Sequence, residues 1–120
     1  MSFARICIVP GNGCPPGGIR QSNWYGWMER QLVASKLFSE VILRDMPDPY
    51  GAKEEEWLPF LLTECAVDAH TIIIGHSSGA EAAMRLLERQ PLLGVVLVSA
   101  CHTGEETNNE TKIPQRLNSL

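Results

Sequence analysis

Three short runs in this chain are apolar with no polar alternation: Arg5-Ile6-Cys7-Ile8-Val9, Thr71-Ile72-Ile73-Ile74-Gly75 and Gly94-Val95-Val96-Leu97-Val98-Ser99-Ala100. A strand with one face in water alternates, so β-branched runs of this kind predict strands covered on both faces, as in a parallel sheet flanked by helices. Parallel neighbours need a crossover between them, and the intervening segments have the patterns to supply it. Trp27 to Leu37 sets Met28, Leu32 and Leu37 near helical spacing, and Val41-Ile42-Leu43 follows as another strand. Lys53 to Cys65 brings Trp57, Leu58, Leu61, Leu62 and Cys65 to one side, while Pro59 predicts a kink or a late helix start. Ala80 to Arg89, rich in alanine and leucine and closed by Pro91, is a third helix. The order β-α-β-α-β-α-β predicts an α/β fold: a parallel sheet of about four strands, helices on both faces, right-handed crossovers.

A length of 120 residues suits one domain. We expect it over residues 1–103, followed by a polar tail at 104–120 that contains Glu105, Glu106, Asn108, Asn109 and Glu110. Ten Lys plus Arg against fourteen Asp plus Glu give a net charge of −4, which leaves no broad basic surface, so neither nucleic acid nor an anionic membrane is an expected partner. The longest apolar runs fall far short of the ~20 residues of a bilayer span. The N-terminus shows no basic segment followed by an apolar core, so the chain is expected inside the cell, in the cytoplasm with the nucleus open as a second compartment. Cys7, Cys14, Cys65 and Cys101 are scattered without C-x-x-C spacing, which predicts reduced thiols and no metal site. No cofactor is implied. Asn109-Glu110-Thr111 matches a glycosylation sequon by chance.

The chemistry concentrates at Gly75-His76-Ser77-Ser78-Gly79, a G-x-S-x-G pattern placed directly after a predicted buried strand and directly before a predicted helix. A sharp strand-to-helix turn of this type tolerates only small residues two before and two after the serine, and Gly75 and Gly79 meet that need. The turn predicts a nucleophilic Ser77 above the sheet, with the Ser78 backbone N–H at the start of the helix facing a developing oxyanion. A second donor is expected from the loop after the first strand, through the backbone of Asn12, Gly13 or Cys14. The alternative is a plain strand-to-helix turn capped by serine.

Several blocks together extend this reading. Val9-Pro10-Gly11-Asn12-Gly13, Trp24-Tyr25-Gly26-Trp27, Met46-Pro47-Asp48-Pro49, Trp57-Leu58-Pro59-Phe60, the segment Thr71 to Ala80 and Val96-Leu97-Val98-Ser99-Ala100 resemble the retinoblastoma-binding protein 9 family, small serine hydrolases of the α/β-hydrolase superfamily. The resemblance runs from Arg5 to about Ala100. It implies that Ser77 is the nucleophile and that the reaction is hydrolysis of small esters or amides by a serine, histidine and aspartate set.

The chain departs from that pattern after the fourth strand. In α/β-hydrolases the aspartate and histidine follow the serine along the chain, on loops after later strands. Here no aspartate follows Ser77, and the histidine that does is His102, directly after the fourth strand, where the family does not place its base. His76 is expected to point away from the hydroxyl, and His70 to lie at the opposite end of the sheet. The chain therefore reads as an N-terminal portion of a hydrolase. Removing the base from such a unit costs on the order of 10⁶ in kcat, so near inactivity is expected. An unpaired outer edge on the fourth strand suggests a second kind of function, an interaction module that docks a protein partner or another copy.

Trp24, Tyr25 and Trp27 either line an apolar acyl pocket or pack the first helix on the sheet. The glycines from Gly11 to Gly18 lack the spacing of a phosphate-binding loop, and Pro15 and Pro16 remove donors from it. Glu54-Glu55-Glu56 reads as a solvated helix start. The retinoblastoma-pocket motif L-x-C-x-E has no match, because Leu62-Thr63-Glu64-Cys65 puts the cysteine one position late. Cys101-His102 makes a poor thiol and base pair, since neighbours on a strand point to opposite faces.

Overall fold

The structure is a computed structural model and describes residues 3–99. Strands β1 (Arg5–Val9), β2 (Glu40–Leu43), β3 (Thr71–His76) and β4 (Gly94–Val98) form one sheet in the order β2-β1-β3-β4. All three pairings are parallel, with Cys7 opposite both Ile42 and Ile73, and Ile74 opposite Val96. Helices α1 (Tyr25–Ser35), α2 (Glu54–Thr63) and α3 (Ser78–Leu87) make the crossovers, and a short 3-10 turn at Ile19–Gln21 precedes α1. The α/β architecture expected from the unalternated runs is the one observed. The expected tail, with Cys101 and His102, lies outside the described residues.

Alternate residues of a strand face opposite ways, and the two faces bury different partners. Cys7, Val9, Ile42 and Ile73 pack with Trp57, Leu58 and Leu61 of α2 and with Ala82, Ala83 and Leu86 of α3. Ile8 and Leu43 pack on the other side with Ile19 and Tyr25, and Met28 and Leu32 of α1 lean on them. Alanine on α3 lets the helix approach closely enough for its first turn to touch the ends of β1 and β3.

Two local expectations need correction. The second helix starts at Glu54, five positions before Pro59, and runs through the proline to Thr63. Pro59 and Glu55 both lie on the exposed side, so the Glu55 carbonyl that loses its helical donor is placed where solvent can replace it. The first helix stops at Ser35, where Lys36 turns left-handed at φ 59°, and Leu37 falls outside it.

At the end of the sheet away from the strand C-termini, Arg5 holds the return from α2. Its guanidinium donates to the Cys65 carbonyl at 2.8 Å, the Ala66 carbonyl at 2.7 Å and Thr71 Oγ1 at 3.1 Å, while Nε bonds Glu40 at 3.0 Å. Fully buried Thr71 in turn donates to Asp68 Oδ1.

Candidate active site

After β1 the chain crosses to β2 on one side, and after β3 it crosses to β4 on the other. The crevice between the C-terminal ends of β1 and β3 is therefore the switch point of the sheet, where open α/β folds hold their ligands. Val9 and Gly75 are paired in register there, so the segments beginning at Pro10 and Ser77 leave the sheet close to one another.

Ser77 joins β3 to α3 with φ 57° and ψ −113°, a backbone state that costs a non-glycine residue on the order of 1–3 kcal/mol. Its N–H donates to the Val98 carbonyl at 3.1 Å, and its carbonyl receives the N–H groups of Ala80 and Glu81. The flanking glycines have steric causes. A Cβ on Gly79 would meet the Val9 carbonyl oxygen at 2.2 Å and that of Pro10 at 2.6 Å, and one on Gly75 would meet the Gly79 carbonyl oxygen at 2.5 Å. The turn is held between two strand ends with no room for a side chain at either glycine.

The loop after β1 lies against this turn. The position a Cβ would take on Gly11 is 3.3 Å from Ser77 Cβ. Asn12 ties the two together: Ser78 Oγ donates to Asn12 Oδ1 at 3.1 Å, and Asn12 Nδ2 donates to the Tyr50 carbonyl at 3.2 Å. The Ser78 amide, in the first turn of α3, is one of the N–H groups that a helix leaves without an internal acceptor. The three donors expected from the loop are not equivalent. Gly13 N–H is donated to the Pro49 carbonyl at 2.8 Å, which removes it from the candidate donors. The Gly11 carbonyl points to the Cys14 thiol, 3.9 Å away. In a trans peptide the next N–H points the opposite way, so the Asn12 amide is directed away from Cys14.

The residue before Ser77 belongs to an aromatic cluster. His76 Nδ1 lies 2.7 Å from the Tyr25 hydroxyl, and the same oxygen accepts the Gly11 N–H at 2.8 Å. Trp24 packs on both rings, with centroid distances of 5.0 Å to Tyr25 and 5.3 Å to His76. Burial pushes the His76 imidazole below its ordinary value and pushes the Tyr25 phenol above its own, an effect that the Gly11 N–H partly offsets. Both groups are thus held neutral. Trp24 and Trp27, named together from the sequence, separate: Trp24 covers His76, whereas Trp27 is half exposed on α1 and has no ring partner among the described residues. His70 sits before β3, its N–H on Asp68, at the far end of the sheet from Ser77.

Sequence reasoning missed two contributors. From the sequence Tyr25 reads with the tryptophans as a wall or packing residue, and nothing local in the chain signals that its hydroxyl reaches Gly11. The Pro49 and Tyr50 carbonyls hold the loop from the β2 side, although Met46-Pro47-Asp48-Pro49 reads only as a break. Among the described residues no three His, Cys, Asp or Glu side chains gather as a metal would require. No described helix is long and apolar enough to cross a membrane.

A model of the serine hydrolase family matches residues 6–119. The chain belongs to the serine hydrolase family. It is 46% identical over 109 residues to a serine hydrolase, RBBP9, of Rattus norvegicus, covering 91% of this chain and 57% of that protein. It is 31% identical over 83 residues to the putative hydrolase YdeN of Bacillus subtilis strain 168, across 65% of this chain and 43% of the relative. The crystal structure of the ydeN gene product superposes with a TM-score of 0.65 at 28% identity, over 82% of this chain and 52% of that one. This serine hydrolase family member spans about half the length of the curated relatives it matches. The retinoblastoma-binding protein 9 resemblance seen in the sequence blocks agrees with these matches, and so does the α/β sheet.

Proposed function

We propose that the chain carries the nucleophile half of a serine hydrolase site for small esters or amides. In this reading the Ser77 oxygen attacks the acyl carbon, and the amides of Ser78 and Asn12, with Cys14 as the remaining loop donor, stabilise the oxyanion. One observation carries the proposal: a serine at φ 57° between a buried strand and a helix, flanked by two glycines whose Cβ positions are filled by backbone. The two histidines among the described residues are committed elsewhere, His76 to Tyr25 and His70 to the opposite end of the sheet. In this reading, with neither of these two histidines serving as base, turnover through Ser77 is slow, within the roughly 10³ to 10⁴ over water that binding and an oxyanion site supply without a base.

Prolonged incubation with excess fluorophosphonate, followed by intact-mass and peptide analysis, tests this. The expected result is a slow adduct on Ser77 that Ser77→Ala abolishes. An adduct that survives Ser77→Ala, or none at saturating probe, overturns the assignment.

A second reading has its own observation. No residue of β4 is buried, Val96 is 50% exposed, and among the described residues no strand pairs with the outer edge. An apolar strand with this edge favours an interaction module that adds a partner protein or a second copy of the chain there. Sedimentation velocity separates the readings: self-association relieved by Val96→Lys supports docking, and a monomer across the accessible concentration range counts against it.

A further inference from the structure

We propose that Tyr25 is a positioning residue, whose hydroxyl bridges the Gly11 amide and the His76 ring and so locks the loop after β1 against the Ser77 turn. The inference rests on the hydrolase reading above and assigns to that site a residue outside the nucleophile motif.

Each proton in the proposed bridge has a place. The Gly11 N–H has one proton to give and gives it to Tyr25 Oη at 2.8 Å. The phenol has a single proton of its own, and in the proposed bridge it is donated to His76 Nδ1 at 2.7 Å. In that arrangement Nδ1 is bare, and the imidazole proton sits on Nε2. The bridge joins residues that leave two different strands, β1 and β3, through a side chain anchored on α1.

Tyr25 is built for this. It is 1% exposed, and its ring packs with Ile8, Ile19 and Leu43. It opens α1, and the next residue, Gly26, lies so close to the preceding turn that a Cβ there would meet the Arg20 carbonyl oxygen at 2.3 Å. The helix start is thereby fixed, and the hydroxyl with it. The consequence lies one peptide further on. With the Gly11 N–H turned to Tyr25, the following peptide presents the Asn12 amide, and the Asn12 side chain holds Ser78. Misplacement of such donors by about 1 Å lowers reactivity by on the order of 10²-fold.

The test uses the full chain, uniformly labelled with ¹⁵N. Long-range ¹H–¹⁵N spectra of His76 are expected to show the Nε2–H tautomer. In Tyr25→Phe that preference is expected to collapse toward a mixture, and Gly11 amide exchange is expected to accelerate at least 10-fold. His76→Asn, whose Oδ1 accepts near the place of Nδ1, is expected to retain Gly11 protection, and His76→Leu to lose it. An Nδ1–H tautomer in the wild type, or unchanged Gly11 exchange in Tyr25→Phe, overturns the bridge. The positioning role is read from the rate of Ser77 adduct formation with the fluorophosphonate, expected to fall roughly 10-fold to 100-fold in Tyr25→Phe. An equal rate in a variant that melts as the wild type does overturns the role. No Ser77 adduct in the wild type, with the tautomer as expected, overturns the hydrolase reading and the positioning role with it, but leaves the bridge established.

Discussion

Ser78 Oγ donates a 3.1 Å hydrogen bond to Asn12 Oδ1 across 66 residues of sequence, and this bond fastens the first turn of α3 to the loop that follows β1. Two of the backbone amides proposed to stabilise the oxyanion belong to the same two residues. Asn12 therefore has two separable roles, a main-chain donor and a side-chain tie.

Asn12→Ala keeps the amide and removes the tie. The Ser77 adduct with fluorophosphonate is expected to form about 10-fold more slowly, because the donor remains but is no longer held. Stability should fall by only about 1 kcal/mol, the usual net value of one exposed side-chain pair of hydrogen bonds. Labelling kinetics beside urea unfolding make the comparison. A loss of rate no larger than the loss of stability accounts for would refute the tie.

The parts of the fold that read directly from the sequence are those set by local pattern. Ile72-Ile73-Ile74 has no polar alternation and becomes a strand flanked by β1 and β4, and the alanines of α3 mark a helix that sits close to the sheet. The strained turn at Ser77 was legible because it is encoded within five residues. Pairings across the fold were not. The Tyr25 to His76 contact spans 51 residues and depends on where α1 begins, which is set by the Ile19–Gln21 turn that carries no apolar period. Gly13 looked as good a donor as Asn12 because both sit in one glycine-bearing loop, and only the Pro49 carbonyl, brought in from after β2, distinguishes them.

Two glycines next to strands predict opposite outcomes. A Cβ on Gly79 would press on the Val9 and Pro10 carbonyl oxygens at 2.2 and 2.6 Å, and these backbone atoms cannot move without separating α3 from β1. Gly79→Ala is expected to destabilise by about 3 kcal/mol or more. Gly94→Ala meets only Ile72 Cγ1 at 3.8 Å, an ordinary contact, and is expected to leave stability unchanged or raise it by up to about 1 kcal/mol through a less flexible unfolded chain. Chemical denaturation of both variants checks the pair, and equal effects would contradict the steric account.

Arg5 is a structural centre remote from Ser77. Three of its contacts are to the Cys65 and Ala66 carbonyls, just after α2, and to buried Thr71, and its side chain is 20% exposed. Removing the fork takes the guanidinium donor from the part-buried Cys65 carbonyl and leaves Thr71 Oγ1 with the Asp68 N–H alone, so Arg5→Ala is expected to cost about 2 to 4 kcal/mol. Lysine cannot reach all of these acceptors at once, and Arg5→Lys is expected to recover less than half of the loss. The urea midpoints of the two variants decide this, and full recovery by lysine would show that charge alone matters.

Burial holds the folded His76 imidazole below the ordinary histidine value of 6.5, with the Trp24 and Tyr25 rings packed against it. As pH falls, the unfolded chain takes up this proton before the folded chain does. The contribution to stability is therefore complete above about pH 6.5, declines as pH drops from there, and is fully lost once pH is below the folded value. The slope cannot exceed about 1.4 kcal/mol per pH unit for one proton. In the proposed bridge Nδ1 accepts from the Tyr25 hydroxyl, and protonation removes that acceptor over the same window. Thermal melts of the wild type between pH 7.5 and 5.5 should show a falling midpoint that is flattened in His76→Asn. Parallel pH profiles for the two proteins would show that His76 is not the titrating group.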